Sequence, residues 1–86
     1  MQIASNDNKV AFNRGMLQLK AKDKAQGSRL CAKFRKEVYA DLKIKRQSFY
    51  NMQHGIKPKN GLPVDRIQYF ERKFKEYGIT DCWGLA

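Results

Sequence analysis

The sequence predicts a mostly α-helical fold, a small helical bundle containing a helix-turn-helix, and three observations predict it. Two stretches place apolar residues three and four apart: Leu30, Cys31, Phe34, Val38 and Leu42, then Val64, Ile67, Phe70, Phe74 and Tyr77. Such spacing is the stripe of an amphipathic helix. Glycine and proline punctuate the chain around and between these stretches, at Gly27, Gly55, Pro58, Gly61, Pro63 and Gly78. Finally, 86 residues fit one domain, and five Phe, four Tyr and one Trp supply the bulk for its core. A domain of this size buries only about 60% of its unfolded surface, which implies modest stability.

Taken in order, residues 1–8 are polar and patternless and are expected to be disordered. From Lys9 to Ala25 two readings stand side by side. Val10, Ala11, Phe12, Met16, Leu17 and Leu19 suit one short helix interrupted by Gly15. Leu17, Leu19 and Ala21 also alternate with Gln18, Lys20 and Lys22, which suits a short strand. Residues 1–27 are therefore read as an N-terminal arm, disordered or irregular, and residues 28–86 as the domain. Ser28 is placed to cap the first striped helix. A second, shorter helix runs from Arg46 to about Gln53, with Phe49 and Met52 inward, and Gly55 suits the left-handed conformation after its end. After a basic loop, Pro63 suits the first turn of the last helix, and Asp65 lies where its charge favours the helix dipole. Gly78 stops that helix, and Ile79 and Trp83 are expected to fold back onto the core.

Charge points to the class of partner. The formal net charge is +10. Residues 28–60 hold nine Lys and Arg against two Asp and Glu, while residues 61–86 hold four of each. A basic excess confined to one stretch is the footprint of a polyanion-binding surface. No run approaches the ~20 apolar residues of a membrane span, and the N-terminus lacks the layout of a signal peptide. Cys31 and Cys82 are far apart in sequence and form no Cys-x-x-Cys pair; Cys31 lies on the apolar stripe, where a small buried hydrophobe is expected. A reducing, cytoplasmic location follows, with association to the nucleoid if DNA is the partner.

The segment from Arg35 to Gly55 resembles the helix-turn-helix of phage-repressor and Cro-like regulators. That family repeats an apolar residue on the first helix, an apolar turn residue, two anchors on the second helix and a terminal glycine. Val38, Leu42, Ile44, Phe49, Met52 and Gly55 fall on those places without a gap. Two short helices that cross touch through few side chains, so their spacing is constrained. Three positions depart from the pattern. Tyr39 stands where a small residue is usual, Lys43 replaces the turn glycine, and Lys45 replaces the usual Ser, Thr or Asn cap. The Tyr-Gly-Ile-Thr-x-x-Trp-Gly stretch near the end also resembles, loosely, small phage or mobile-element regulators of Bacteroidetes type.

The resemblance implies sequence-specific binding to double-stranded DNA by a transcriptional regulator, with the second helix in the major groove. Arg46, Gln47, Ser48, Tyr50 and Asn51 would then reach base edges, and Lys33, Arg35, Lys36, Lys45, Lys57 and Lys59 would touch phosphates. Each assignment has a plainer rival: the basic residues form a solvated face, Gln47 and Asn51 are ordinary surface amides, and Tyr50 covers the core edge. His54 is read as a helix-end residue meeting terminal carbonyls. A homodimer would extend the few bases one short helix reads. Phe70, Phe74, Tyr77 and Trp83 either supply its surface or close a monomeric core.

An enzyme is hard to build from these residues. One histidine, two separated cysteines and no acidic pair offer neither a metal site nor an acid–base couple, and no phosphate-binding glycine loop appears. No cofactor, small-molecule substrate or membrane is expected. Asp65, Glu71 and Glu76 sit among Arg66, Arg72, Lys73 and Lys75, which suggests surface pairing. Two other functions use the same charge: an RNA-binding or ribosome-associated protein, and a phage-encoded adaptor for an acidic host protein. RNA recognition calls for exposed rings that stack on bases, whereas most aromatics here lie on apolar stripes.

Overall fold

In a computed structural model of the chain, residues 11–27, 29–57 and 61–84 are described. They form four helices and no strand: α1 Asn13–Gln26, α2 Leu30–Leu42, α3 Arg46–Gln53 and α4 Val64–Glu76. None of the four is long and apolar enough to cross a membrane.

The core is built on phenylalanine. Phe12, Phe34, Phe49, Phe70 and Phe74 are all buried, and they come from the start of α1, from α2, from α3 and twice from α4. Phe12 joins them: its ring stacks on Phe70 at 4.3 Å and meets Phe49 edge-on at 5.2 Å and Phe74 at 5.8 Å. Phe34 completes the cluster against Phe74 at 4.5 Å. Burial of each such ring stabilises the fold by roughly 1.5–3 kcal/mol, and well-placed ring pairs add about 0.5–1.5 kcal/mol. Met16, Leu19, Val38, Met52, Leu62, Ile67, Ile79 and Cys82 fill the space around them.

Helix ends are closed by neighbouring segments. The C-terminal tail turns back after α4, with the Ile79 amide donating to the Phe74 carbonyl at 2.9 Å. It then runs past the start of α1. The Arg14 amide donates to the Gly84 carbonyl at 2.9 Å, the Gly15 amide to the Cys82 carbonyl at 3.0 Å, and the Gly84 amide to the Ala11 carbonyl at 2.8 Å. Amides that a helix N-terminus leaves free are thus satisfied by the tail. At α2 the same need is met by Asp23 of α1, whose carboxylate accepts from the Leu30 amide and, at 2.9 Å, from the Cys31 amide. Gln53 at the end of α3 donates to Asn13 at the start of α1 at 2.8 Å.

Several sequence expectations change. The arm assigned to residues 1–27 belongs to the fold from Ala11 on: of the two readings of that stretch the helix is found, and Ala11, Phe12, Met16 and Leu19 are buried. Residues 1–10 lie outside the described residues, as does Ser28, the expected cap of α2. The residue before α2 is Arg29, which makes no side-chain cap, because Asp23 already takes the free amides. Pro63 lies one position before α4 rather than in its first turn. Val64 is exposed, and Leu62 is buried in its stead. Phe70 and Phe74 close the core of a single chain, so they offer no dimer surface. Trp83 packs on that core and donates its indole N–H to Glu71 at 3.0 Å.

Gly15 gives this closure its sharpest test. A Cβ there would stand 2.6 Å from the Cys82 Cβ and 2.8 Å from the Phe74 ring, distances that force the tail away from α1. Alanine gains about 1 kcal/mol of helix propensity, but overpacking a core costs about 1–3 kcal/mol. Gly15→Ala is therefore expected to lower the free energy of unfolding in a urea melt by about 1 kcal/mol. An unchanged or raised midpoint would show that the tail does not hold α1 this closely.

Candidate nucleic-acid interface

The turn between α2 and α3 is made by Lys43, the one non-glycine residue at positive φ among the described residues (φ 53°). Its amide and that of Ile44 both return to the Tyr39 carbonyl, the latter at 3.2 Å, which closes the C-terminal carbonyls of α2. A left-handed lysine costs roughly 1–2 kcal/mol relative to a right-handed one. Ile44 then packs on the core and offsets part of that cost. Lys45 is extended (φ −100°, ψ 170°) and makes no side-chain cap. Tyr39 does not wedge the two helices apart; its half-buried ring meets Phe49 edge-on at 5.6 Å. At the far end of α3, Gly55 takes φ 71° and the Ile56 amide returns to the Asn51 carbonyl at 2.8 Å.

With Phe49 and Met52 inward, the 100° step of an α-helix turns Gln47 and Asn51 outward. These two amides are joined, Gln47 Nε2 donating to Asn51 Oδ1 at 3.0 Å. A groove lies on each side of them. One, of about 500 Å³, is lined by Ile44, Ser48, Asn51, Met52, Lys57 and Arg66. The other, of about 300 Å³, is lined by Arg35, Tyr39, Arg46, Phe49, Tyr50 and Gln53.

The residues anticipated from sequence separate into groups. Arg46, Gln47, Ser48 and Tyr50 are exposed on α3, and Asn51 is half-buried. Arg35 and Lys57 join the grooves beside them, and Lys45 is exposed at the entry to α3. Lys36 is exposed on α2. Lys33 points elsewhere, into a groove of about 410 Å³ with Lys22, Glu37, Lys73 and Tyr77. Lys59 lies outside the described residues. The His54 ring packs on Tyr50 at 4.4 Å. Sequence reasoning missed Arg66, which it grouped with the surface pairs of α4. Arg66 Nη1 lies 3.5 Å from Met52 Sδ, beside α3, a position that depends on how α4 packs.

Neither groove beside α3 has a carboxylate in its lining. From Leu42 to Val64 the chain carries five Lys and Arg and no Asp or Glu. Glu37, Asp41 and Glu76 instead surround Lys73, at 2.9, 3.7 and 3.8 Å, so the pairing expected along α4 runs largely across to α2. The Tyr77 hydroxyl donates to Glu37 and the Tyr69 hydroxyl to Asp41, each at 2.6 Å. The Tyr77 bond, then Lys73, holds the Glu37 carboxyl below its ordinary range. Burial, then these carboxylates, pushes both tyrosines up. Burial and the Asp23 carboxylate raise the Cys31 thiol to about 11, so it is protonated at neutral pH and is no ready nucleophile. Among the described residues no three His, Cys, Asp or Glu side chains converge as a metal site would require.

The uncapped start of α3 can be tested directly. Serine at an N-cap position typically stabilises a helix by about 1 kcal/mol over a residue that cannot cap. Lys45→Ser is expected to raise the thermal midpoint by roughly 4–8 °C for a domain of this size. A midpoint that stays put or falls would mean that the free amides of α3 are satisfied in another way.

No protein-family model matches this chain, and no curated protein or solved structure is similar enough to it to count as a match.

Proposed function

We propose that the chain is a sequence-specific double-stranded DNA-binding protein, a transcriptional regulator that acts on the nucleoid in the cytoplasm with α3 in the major groove. The observation that carries this reading is the outer face of α3: a linked amide pair, Gln47 and Asn51, between two grooves that each hold two cations and have no carboxylate in their lining. Asn and Gln amides pair with the donor and acceptor that adenine presents in the major groove, each good pair contributing about 1–3 kcal/mol of discrimination. Ser48 and Tyr50 flank them as further base contacts. Lys36, Lys45 and Lys57 would meet phosphates, which position the helix without reading sequence.

RNA fits less well. The major groove of an A-form helix is too deep and narrow for an α-helix, and single-stranded RNA is read largely by stacking on exposed rings. Tyr50 is the one aromatic side chain among the exposed large hydrophobics, and its ring is packed on His54. Because α3 has only eight residues, full specificity calls for two copies on half-sites about 34–36 Å apart.

Anisotropy titrations of random duplex DNA, RNA and a library of genomic duplexes, repeated across salt, test the reading. Duplex DNA is expected to bind with steep salt dependence and with a preferred sequence. Gln47→Ala or Asn51→Ala should remove that preference while leaving the salt slope. Equal affinity for unrelated duplexes, or tighter binding to RNA, would overturn it.

A further inference from the structure

The two grooves beside α3 have similar chemistry on opposite flanks. Ser48 and Met52 turn toward one and Arg46, Tyr50 and Gln53 toward the other, so α3 is the ridge between them. Each groove pairs two cations, Lys57 with Arg66 and Arg35 with Arg46, over an apolar floor of Ile44 and Met52 or of Tyr39 and Phe49. Cations above an apolar floor suit a sugar–phosphate chain, whose phosphates are anionic and whose deoxyribose is largely apolar. A B-form major groove is about 12 Å wide with a phosphate backbone on either side, and a helix with its side chains is about 10–12 Å across. A helix lying in it therefore has one strand along each flank.

Resting on the DNA reading above, we propose that the grooves form a two-sided clamp. Arg66 with Lys57 holds phosphates of one strand, and Arg35 with Arg46 holds phosphates of the other. The clamp moves Arg46 from base contact to phosphate contact and adds Arg66, a residue of the scaffold helix, to the binding surface. Arg66 is suited to the task. Among the described residues no carboxylate pairs with it, and its guanidinium already rests on Met52 beside α3. Arginine also matches phosphate geometry with two parallel donors, which lysine does not.

The test combines salt titration with ethylation interference on the preferred duplex. Each phosphate contact contributes about 0.9 to the slope of log affinity against log salt. Arg66→Gln and Arg35→Gln are each expected to lower the slope by about 0.9 and weaken binding about eightfold at 0.1 M salt, equally for every duplex sequence. Arg66→Lys should keep the slope, which separates lost charge from lost packing on Met52. If Arg66→Gln lowers the melting midpoint, Lys57→Gln reads the same groove from an exposed segment. Interference should disappear from one strand in Arg66→Gln and from the other in Arg35→Gln. A wild-type protein without salt-dependent duplex binding would sink the DNA reading and the clamp together. If the wild type binds as expected but Arg66→Gln keeps its slope, or both variants lose contacts on the same strand, the clamp alone is overturned.

Discussion

Everything else in the structure hangs on the contact of Phe12 with Phe49, Phe70 and Phe74. Phe12 precedes the first helix, yet its ring touches both the short α3 and the long α4. An isolated helix shorter than about 12–15 residues is marginal in water, so the eight residues of α3 cannot hold their shape alone. Their order comes from Phe49 and Met52, which are anchored in the core. The outward direction of Gln47 and Asn51 is a consequence of that inward anchoring.

The same cluster explains why the start of α1 and the segment after α4 are held together. Phe74 also touches the space that a Cβ on Gly15 would fill, and the tail from Ile79 to Gly84 lies across the start of α1. The closing segment brings the backbone acceptors that α1 lacks and buries Ile79 and Cys82 over the aromatic floor. Charge is arranged to match. Glu37 and Asp41 of α2 and Glu76 of α4 are drawn together around Lys73, and the stretch from Leu42 to Val64 has no carboxylate of its own to neutralise its cations.

Much of this was legible in the sequence, and the rest was not for identifiable reasons. α2 and α4 follow from their apolar stripes, and the stop at Gly55 from the need for a left-handed residue after α3. α1 gave no clean stripe because its burial is uneven: Gly15 is packed under the tail, while Leu17 stays 44% exposed. Propensity scarcely separates helix from strand in such a segment; tertiary packing decides it. The cap on α2 comes from Asp23, seven residues upstream of Leu30, beyond any local capping pattern. In the sequence Lys33 reads as a phosphate contact and Arg66 as one of the surface pairs of α4. Only the packing of α1 and α4 against the helix-turn-helix sends Lys33 toward Lys73 and Arg66 toward α3.

The central claim is that a face preformed by the aromatic core, and no other face, meets duplex DNA. Amide chemical shifts followed by NMR during titration with a short duplex test it most directly. The account predicts changes concentrated on residues 43–57 and on Arg35 and Arg66, with Phe-cluster residues unmoved and the groove around Lys22, Lys33 and Lys73 silent. Changes centred on that second groove, or spread through the core, would contradict it.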